Sequence, residues 1–141
     1  MRKLPQSQAL QKAYPFSVEV VKFCRRLMRE AHEYEIGRQL LRSATSIAAN
    51  IAEAKGGISR RDFAAKINIS YKESLETKYW LNLLYDLELM PKDQFEAWLD
   101  TCDQLSAMLY ATLRKTSIQP SGTDQVKDDG EETYETRNWD F

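Results

Sequence analysis

Residues 40–84 decide the fold of this chain, and they read LLRSATSIAANIAEAKGGISRRDFAAKINISYKESLETKYWLNLL. The stretch contains two helical patterns, separated by a turn at Gly56 and Gly57. In the first pattern, apolar residues recur at steps of four and three, which places them on one face of a helix. A second row of small or apolar residues adjoins this face, so the pattern predicts a central helix of a bundle. The first row is Leu40, Ala44, Ile47 and Ile51, and the second is Leu41, Ala48 and Ala52.

The second pattern predicts a long helix after the glycine turn. Ser59 and Asp62 have the spacing of a capping box, which favours a helix start at this point. No Gly or Pro interrupts the pattern as far as Leu87, so the helix would be about 43 Å long at 1.5 Å per residue. Its predicted inward row includes two glutamates, which need partners on an apolar face. The row consists of Ile69, Glu73, Glu76, Trp80, Leu83, Leu84 and Leu87.

Polar residues of these two helices are predicted to pair across the turn, within one subunit or between subunits. If the chain folds back about Gly57, Glu73 lies near Arg42, and Glu76 lies near Arg38. The guanidinium fork of arginine matches a carboxylate, so the pairs would have a structural role. The residues assigned to this role are Arg38, Arg42, Asn50, Glu53, Glu73 and Glu76.

Two further helices are predicted to flank this hairpin. Helix one runs from about Phe16 to Ala31, and helix four opens at Pro91, since proline is favourable at a first helical position. Four helices with three short connections predict an all-α fold, an antiparallel up-down four-helix bundle. The expected domains are a flexible N-terminal arm (1–14), the bundle (15–115) and an acidic C-terminal tail that is disordered or ordered by a partner (116–141). The inward rows are Phe16, Val20, Phe23 and Leu27 in helix one, and Phe95, Trp98, Cys102, Leu105, Leu109 and Leu113 in helix four.

The central stretch also carries a family resemblance. The motifs SxxSIxxNIAE, a glycine turn, SxxDF and KExxETxYWLxLL together resemble the bacterial four-helix-bundle family of proteins encoded in 23S rRNA intervening sequences. The chain is also similar to the accessory variability proteins of diversity-generating retroelements, and the resemblance covers roughly residues 16–113. It implies a homopentameric ring with no catalytic activity. Because the retroelement proteins bind a reverse transcriptase and nucleic acid, the resemblance implies the same kinds of partner here.

Two clusters of basic residues are candidates for contacting nucleic acid. Such clusters neutralise phosphates without reading base sequence, although a solvated helix face has the same pattern. The first 115 residues contain eighteen Lys and Arg against fourteen Asp and Glu, whereas the tail contains two against seven. The candidates are Lys22, Arg25, Arg26 and Arg29 on one face of helix one, and Lys55, Arg60 and Arg61 at the hinge, beside a helix N-terminus that attracts anions.

Composition and spacing argue against several classes of function. No apolar run is long enough to span a membrane, and the N-terminal residues lack the apolar region of a signal peptide. Cys24 and Cys102 have no CxxC spacing, which predicts reduced thiols in a cytoplasmic protein. His32 is the only histidine, so the chain lacks the Glu-x-x-His pairs of a di-iron bundle. We therefore expect no metal site, no cofactor and no catalytic residue.

Three functional hypotheses remain. The favoured one is a non-catalytic, homo-oligomeric adaptor that binds RNA or DNA through its basic surface, with a reverse transcriptase as the partner that the resemblance implies. The second is a structural or protein-interaction scaffold that does not bind nucleic acid. The third and most remote is a magnesium-dependent nucleotide pyrophosphohydrolase, because Glu73 and Glu76 precede Asp100 and Asp103 at one-turn spacings that could hold Mg²⁺.

The acidic tail has two interpretations. Its aromatic residues Tyr134, Trp139 and Phe141 are spaced among acids. The tail would either keep the protein in solution or dock on a basic, apolar groove and displace other anions from it.

Overall fold

Four helices make up the described part of the chain, residues 3–116 of a computed structural model. They are α1 Gln8–Glu30, α2 Tyr34–Ala54, α3 Arg60–Asp86 and α4 Lys92–Thr116. Each helix packs on the next along the chain, and α4 packs less extensively on α1, so α1 lies diagonally across from α3 and α2 from α4. Short connections make neighbours antiparallel, and the prediction of an all-helical four-helix bundle is confirmed over this range, which contains no strand. None of these helices has a segment long and apolar enough to cross a bilayer.

The first helix begins earlier than the sequence predicted. α1 starts at Gln8 rather than Phe16, and the Ser7 side chain caps it by accepting from the Leu10 backbone N–H at 3.0 Å. Leu10 and Ala13 are fully buried. The free energy gained by this burial offsets the loss of the helical hydrogen bond that Pro15, which has no N–H, cannot donate. The expected N-terminal arm was therefore wrong for residues 8–14, which form the first two turns of α1.

The hinge between α2 and α3 has the predicted cap. Ser59 Oγ accepts from the Asp62 backbone N–H at 3.0 Å, and Asp62 Oδ2 accepts from the Ile58 N–H at 3.3 Å. A Cβ atom on Gly57 would lie 3.0 Å from the Ala54 carbonyl oxygen and 3.1 Å from Asp62 Oδ2. Since no glycine among the described residues has a positive φ, Gly57 is needed for this close approach rather than for a left-handed conformation.

The apolar rows predicted for α1, α2 and α4 form the core. The first row of α2 is completely or almost completely buried, and so is the predicted row of α1. In α4 the predicted row is buried as far as Leu109, and Leu113 is half-buried. Trp98 connects α4 to α1, since its ring packs edge to face on Phe16 and Phe23 at centroid distances of 5.7 and 5.4 Å.

The inward face of α3 differs from the prediction. Ile69 is 41% exposed and Leu87 is 50% exposed, while Trp80 and Leu83 are half-buried at the rim. Of the predicted row, Leu84 alone is fully buried. The buried residues of α3 recur at steps of three and four and include hydroxyl side chains where apolar ones were expected. They are Ile67, Ser70, Ser74, Thr77, Leu81 and Leu84.

Hydrogen bonds between helices explain why these hydroxyl side chains face inward. Ser70 donates to the Ile47 carbonyl at 2.8 Å, and Thr77 donates to Ser43 Oγ at 3.0 Å. On the other side of α3, the Ser74 and Ser106 hydroxyls share a hydrogen bond of 2.8 Å. Small side chains let the helices approach closely, and satisfied hydroxyls avoid the cost of a buried unpaired group. Within residues 3–116, every buried side-chain nitrogen and oxygen has a partner.

Leu81 of α3 and Leu87 at its C-cap test this face assignment. We expect Leu81→Ala to lower the free energy of unfolding by about 2 to 5 kcal/mol, because Leu81 is completely buried. Leu87→Ala is the matched control and should cost less than about 1 kcal/mol, because half of that side chain is already exposed. Urea denaturation at one fixed protein concentration measures both. Equal losses in the two variants would contradict the face assignment.

Candidate functional site

Arg42 of α2 holds two glutamates of α3. Its Nη1 lies 3.3 Å from Glu73 Oε1, and its Nη2 donates to Glu76 Oε1. The Trp80 indole also donates to Glu76 Oε1, at 3.2 Å. The pairing of Glu73 with Arg42 is as predicted, but the pairing of Glu76 with Arg38 was wrong.

The reason is a small shift in helix register. Thr77 meets Ser43 and Ser70 meets the Ile47 carbonyl, so the hairpin folds about Ile58 to Arg60 rather than about Gly57. This shift brings Glu76 opposite Arg42. Arg38 instead lies 3.9 Å from Glu35, one turn earlier in its own helix.

The two glutamates differ in their electrostatic surroundings. Burial raises the pKa of Glu73 above its usual range, and the charge of Arg42 offsets this only in part. Burial also acts to raise the pKa of Glu76, but the hydrogen bonds from Arg42 and Trp80 outweigh it and hold that pKa below its usual range. Glu76 is therefore the stronger ion-pair partner of Arg42.

The remaining predicted polar pairs are only partly assembled. Glu53 accepts from Lys66 of α3 at 2.8 Å, which adds a second ion pair between α2 and α3. Asn50 donates to the Ser46 carbonyl of its own helix at 2.8 Å rather than to another element. The sequence analysis did not single out Lys66, although its i, i+4 position from Asp62 marked it as part of a charged helix face.

The acidic pairs required for the pyrophosphohydrolase hypothesis lie on different sides of α3. Glu73 and Glu76 face Arg42 of α2, whereas Asp103 of α4 accepts from Lys78 at 2.9 Å. In the part of the chain from residue 3 to 116, no group of three or more His, Cys, Asp or Glu is placed to hold a metal ion. The structure therefore does not bring the predicted Mg²⁺ ligands together.

Both cysteines are inside the bundle. Cys24 and Cys102 are buried and unpaired with each other. Burial raises the pKa of each thiol to about 12. Since the thiolate is the nucleophile, neither group is activated for covalent chemistry.

The basic face of α1 is exposed, as expected. Two of its four members make local ion pairs, Lys22 with Glu19 at 3.3 Å and Arg29 with Glu30 at 3.4 Å. Arg25 and Arg26 make no ion pair within residues 3–116. Arg26 lines an open groove of about 350 Å³ beside the α3–α4 turn, but Glu30 and Glu88 line the same groove and counter its charge.

The hinge cluster Lys55, Arg60 and Arg61 lies at the other end of the bundle. All three side chains are exposed, and among the described residues none of them has an ion-pair partner. Arg60 and Arg61 form the first turn of α3, where the exposed backbone N–H groups add a partial positive charge. Along α1 this end is roughly 20 to 30 Å from the basic face, from a rise of 1.5 Å per residue.

The fold concentrates positive charge in the half of the bundle that contains the hinge, here called the hinge end. This half comprises residues 3–18, 45–73 and 105–116, and it has nine basic against three acidic side chains. The other half, called the opposite end, has eight basic against eleven acidic. The nine basic residues are Lys3, Lys12, Lys55, Arg60, Arg61, Lys66, Lys72, Arg114 and Lys115.

The exposed surface of α3 carries large apolar side chains among polar ones such as Lys72 and Asp86. Four of the eight large exposed hydrophobic side chains of the described residues lie on this helix or at its C-cap, namely Ile69, Leu75, Tyr79 and Leu87. We call these four residues the α3 outer face. Tyr79 also meets the half-buried Trp80 ring edge to face at 4.8 Å. Exposed apolar side chains on one helix are candidates for a protein interaction surface.

Glu76→Gln should lower the free energy of unfolding at neutral pH by about 0.5 to 1.5 kcal/mol, the range for a partly exposed charged hydrogen bond. The pKa of Glu76 is lower in the folded than in the unfolded chain. The contribution of its charge is thus complete above the unfolded carboxyl pKa and is lost as the pH falls through the folded pKa. Thermal denaturation across this pH range should show the variant and the parent converging in acid.

Glu73→Gln is the matched control for that measurement. Because the pKa of Glu73 is raised on folding, its charge opposes stability as the pH rises through the folded value. We therefore expect a smaller loss at neutral pH than for Glu76→Gln. Equal losses, or a Glu76→Gln loss that persists in acid, would contradict the assignment.

Comparisons with known proteins agree with this architecture. No curated protein matches the chain. One similar solved structure is the crystal structure of a protein of unknown function from the S23 ribosomal protein family of Bacteroides thetaiotaomicron. The two are 37% identical with a TM-score of 0.73, and the match covers 75% of this chain and 98% of the other. The model of the 23S rRNA-intervening sequence protein family matches residues 5–111, and the chain therefore belongs to that family.

Proposed function

We propose that this protein is a non-catalytic, homo-oligomeric adaptor that binds RNA or DNA through the hinge end of its bundle. The observation that carries the proposal is the excess of nine basic over three acidic side chains at that end. Lys55, Arg60 and Arg61 are exposed there without ion-pair partners in the described range, so phosphates can approach them without displacing a carboxylate of residues 3–116. Contacts of this kind bind the nucleic-acid backbone irrespective of sequence.

The helix arrangement strengthens an anion site at the hinge. α3 is 27 residues long and begins at Arg60, so its N-terminal partial charge adds to the side-chain charges. The basic face of α1 would be a secondary contact, because only two of its four members, Arg25 and Arg26, are without acidic partners among residues 3–116. The family is described by its relation to 23S rRNA intervening sequences, which fits a role linked to RNA.

Assembly would multiply a modest charge per chain. The resemblance in sequence supports a homopentamer, which would have a mass of five times 16.4 kDa. The α3 outer face is the apolar surface that suits such contacts between copies. A nucleic-acid enzyme such as a reverse transcriptase would be the protein partner, and a cytoplasmic location would keep Cys24 and Cys102 reduced.

Nucleic-acid binding can be tested with paired double variants. Arg60→Gln/Arg61→Gln should weaken binding of a short RNA or DNA by about tenfold at low salt. Each lost phosphate contact means that fewer counterions are released from the nucleic acid on binding. Arg25→Gln/Arg26→Gln should weaken it less, and Lys92→Gln at the opposite end should leave it unchanged. Fluorescence anisotropy at several salt concentrations measures the affinities and the salt slope, which should be shallower for the hinge variant.

Two outcomes would overturn this assignment. If the parent protein ignores nucleic acid even at low salt, the favoured function becomes the protein-only scaffold, for which the α3 outer face is the supporting observation. If the α1 variant loses more affinity than the hinge variant, the contact surface lies on α1.

The assembly surface has its own test. Leu75→Glu and Tyr79→Glu place charges on the α3 outer face, where both side chains are more than one-third exposed, so we expect smaller oligomers with intact helices. Val18→Glu on α1 is the matched control, since that side chain is 37% exposed but lies on another helix. Light scattering gives the mass, and circular dichroism reports helix content. Oligomers that survive the α3 charges but dissociate with Val18→Glu would contradict the proposed surface.

A further inference from the structure

The chain leaves the bundle at the hinge end. α4 runs antiparallel to α3, so its last residue, Thr116, lies at the same end as the first residue of α3, Arg60. The segment that follows, residues 117–141, lies outside the described residues. Its starting point is nevertheless fixed by the end of α4, beside the most basic part of the protein.

The composition of this segment complements that end. Residues 117–141 contain seven acidic and two basic side chains, whereas the hinge end contains three acidic and nine basic ones. The opposite end has an acidic excess and would repel the segment. Twenty-five residues span up to about 80 Å when extended, and the helices are only about 30 to 40 Å long. Length therefore permits either end, and charge favours the hinge.

An apolar contact is available at the same place. Ile58 lies in the α2–α3 turn between the hinge cations and is 97% exposed, the highest value among the exposed large hydrophobic side chains of residues 3–116. The acidic segment carries Tyr134, Trp139 and Phe141 among its carboxylates. An aromatic ring on Ile58 would bury apolar surface while neighbouring acids pair with Arg60 and Arg61.

We propose that residues 117–141 dock on the hinge end of their own chain, with their carboxylates on Lys55, Arg60 and Arg61 and an aromatic side chain on Ile58. A tethered segment has a millimolar effective concentration, so individually weak pairs suffice. The docked segment occupies the cations to which the proposed function assigns phosphate contacts. As far as it concerns nucleic acid, the inference rests on that function, and the segment then acts as a built-in competitor of the phosphate backbone.

Carbodiimide cross-linking of the full chain tests the docking directly. The reagent joins carboxylates to lysines that are already in contact, and mass spectrometry identifies the pairs. Cross-links from the segment to Lys55 should exceed those to Lys92 at the opposite end by at least about threefold, and they should fade at high salt as the charges are screened. A mixture of isotopically light and heavy chains separates links within one chain from links between chains.

Charge variants supply the controls. Arg60→Gln/Arg61→Gln should reduce the Lys55 cross-links, while Arg25→Gln/Arg26→Gln should leave them unchanged. Equal cross-linking of Lys55 and Lys92, persistence in the hinge variant, or links only between chains would overturn the docking.

A full-length variant with a neutralised segment tests the competition. The variant Asp128→Asn/Asp129→Asn/Glu131→Gln/Glu132→Gln should have an affinity for a single-stranded oligonucleotide at least about three times that of the parent protein at low salt. Unchanged affinity in a protein that does bind would overturn the competition. If neither the parent nor the variant binds the oligonucleotide, the proposed function fails, and the cross-links still decide the docking.

Discussion

The hydroxyl contacts of α3 with its neighbours set the arrangement on which the other surfaces depend. Ser70 and Thr77 bond to α2 and Ser74 bonds to α4, so the helix can take only one rotation about its axis. A different rotation would leave these hydroxyls buried without partners, at a cost of about 1 to 3 kcal/mol each. With the rotation fixed, Glu76 lies within reach of Arg42, and Ile69 is left at the surface. One set of small polar side chains thus determines both the polar cluster between α2 and α3 and the apolar outer face.

The separation of charge along the bundle follows from up-down topology. The beginning of α1, the α2–α3 turn and the end of α4 are distant in sequence but share one end of the protein. Basic residues from all three places therefore add their fields, although no single helix is strongly basic. Glu30 and Glu88 come to line one groove at the opposite end in the same way. The field of a bundle with one positive end would orient an approaching anion as well as attract it.

Three of the four acidic side chains named as possible metal ligands have basic partners in the described part of the bundle. Glu73 and Glu76 are engaged by an arginine, and Asp103 is engaged by Lys78. The buried thiols have pKa values raised away from the reactive range. The proposed function is therefore placed on the exposed surfaces, which include the hinge cations and the α3 outer face.

The sequence by itself determined the helices, their order, the glycine hinge and the inward faces of α1, α2 and α4, because helical periodicity and capping residues are local signals. It also located the basic residues of the candidate site. Only the tertiary structure decided which face of α3 is buried, since Ser70, Ser74 and Thr77 are tolerated inside once neighbouring helices satisfy them. It likewise decided that Glu76 pairs with Arg42. Above all, it decided which charges share an end, because summed charge depends on the proximity that folding creates between residues far apart in the chain.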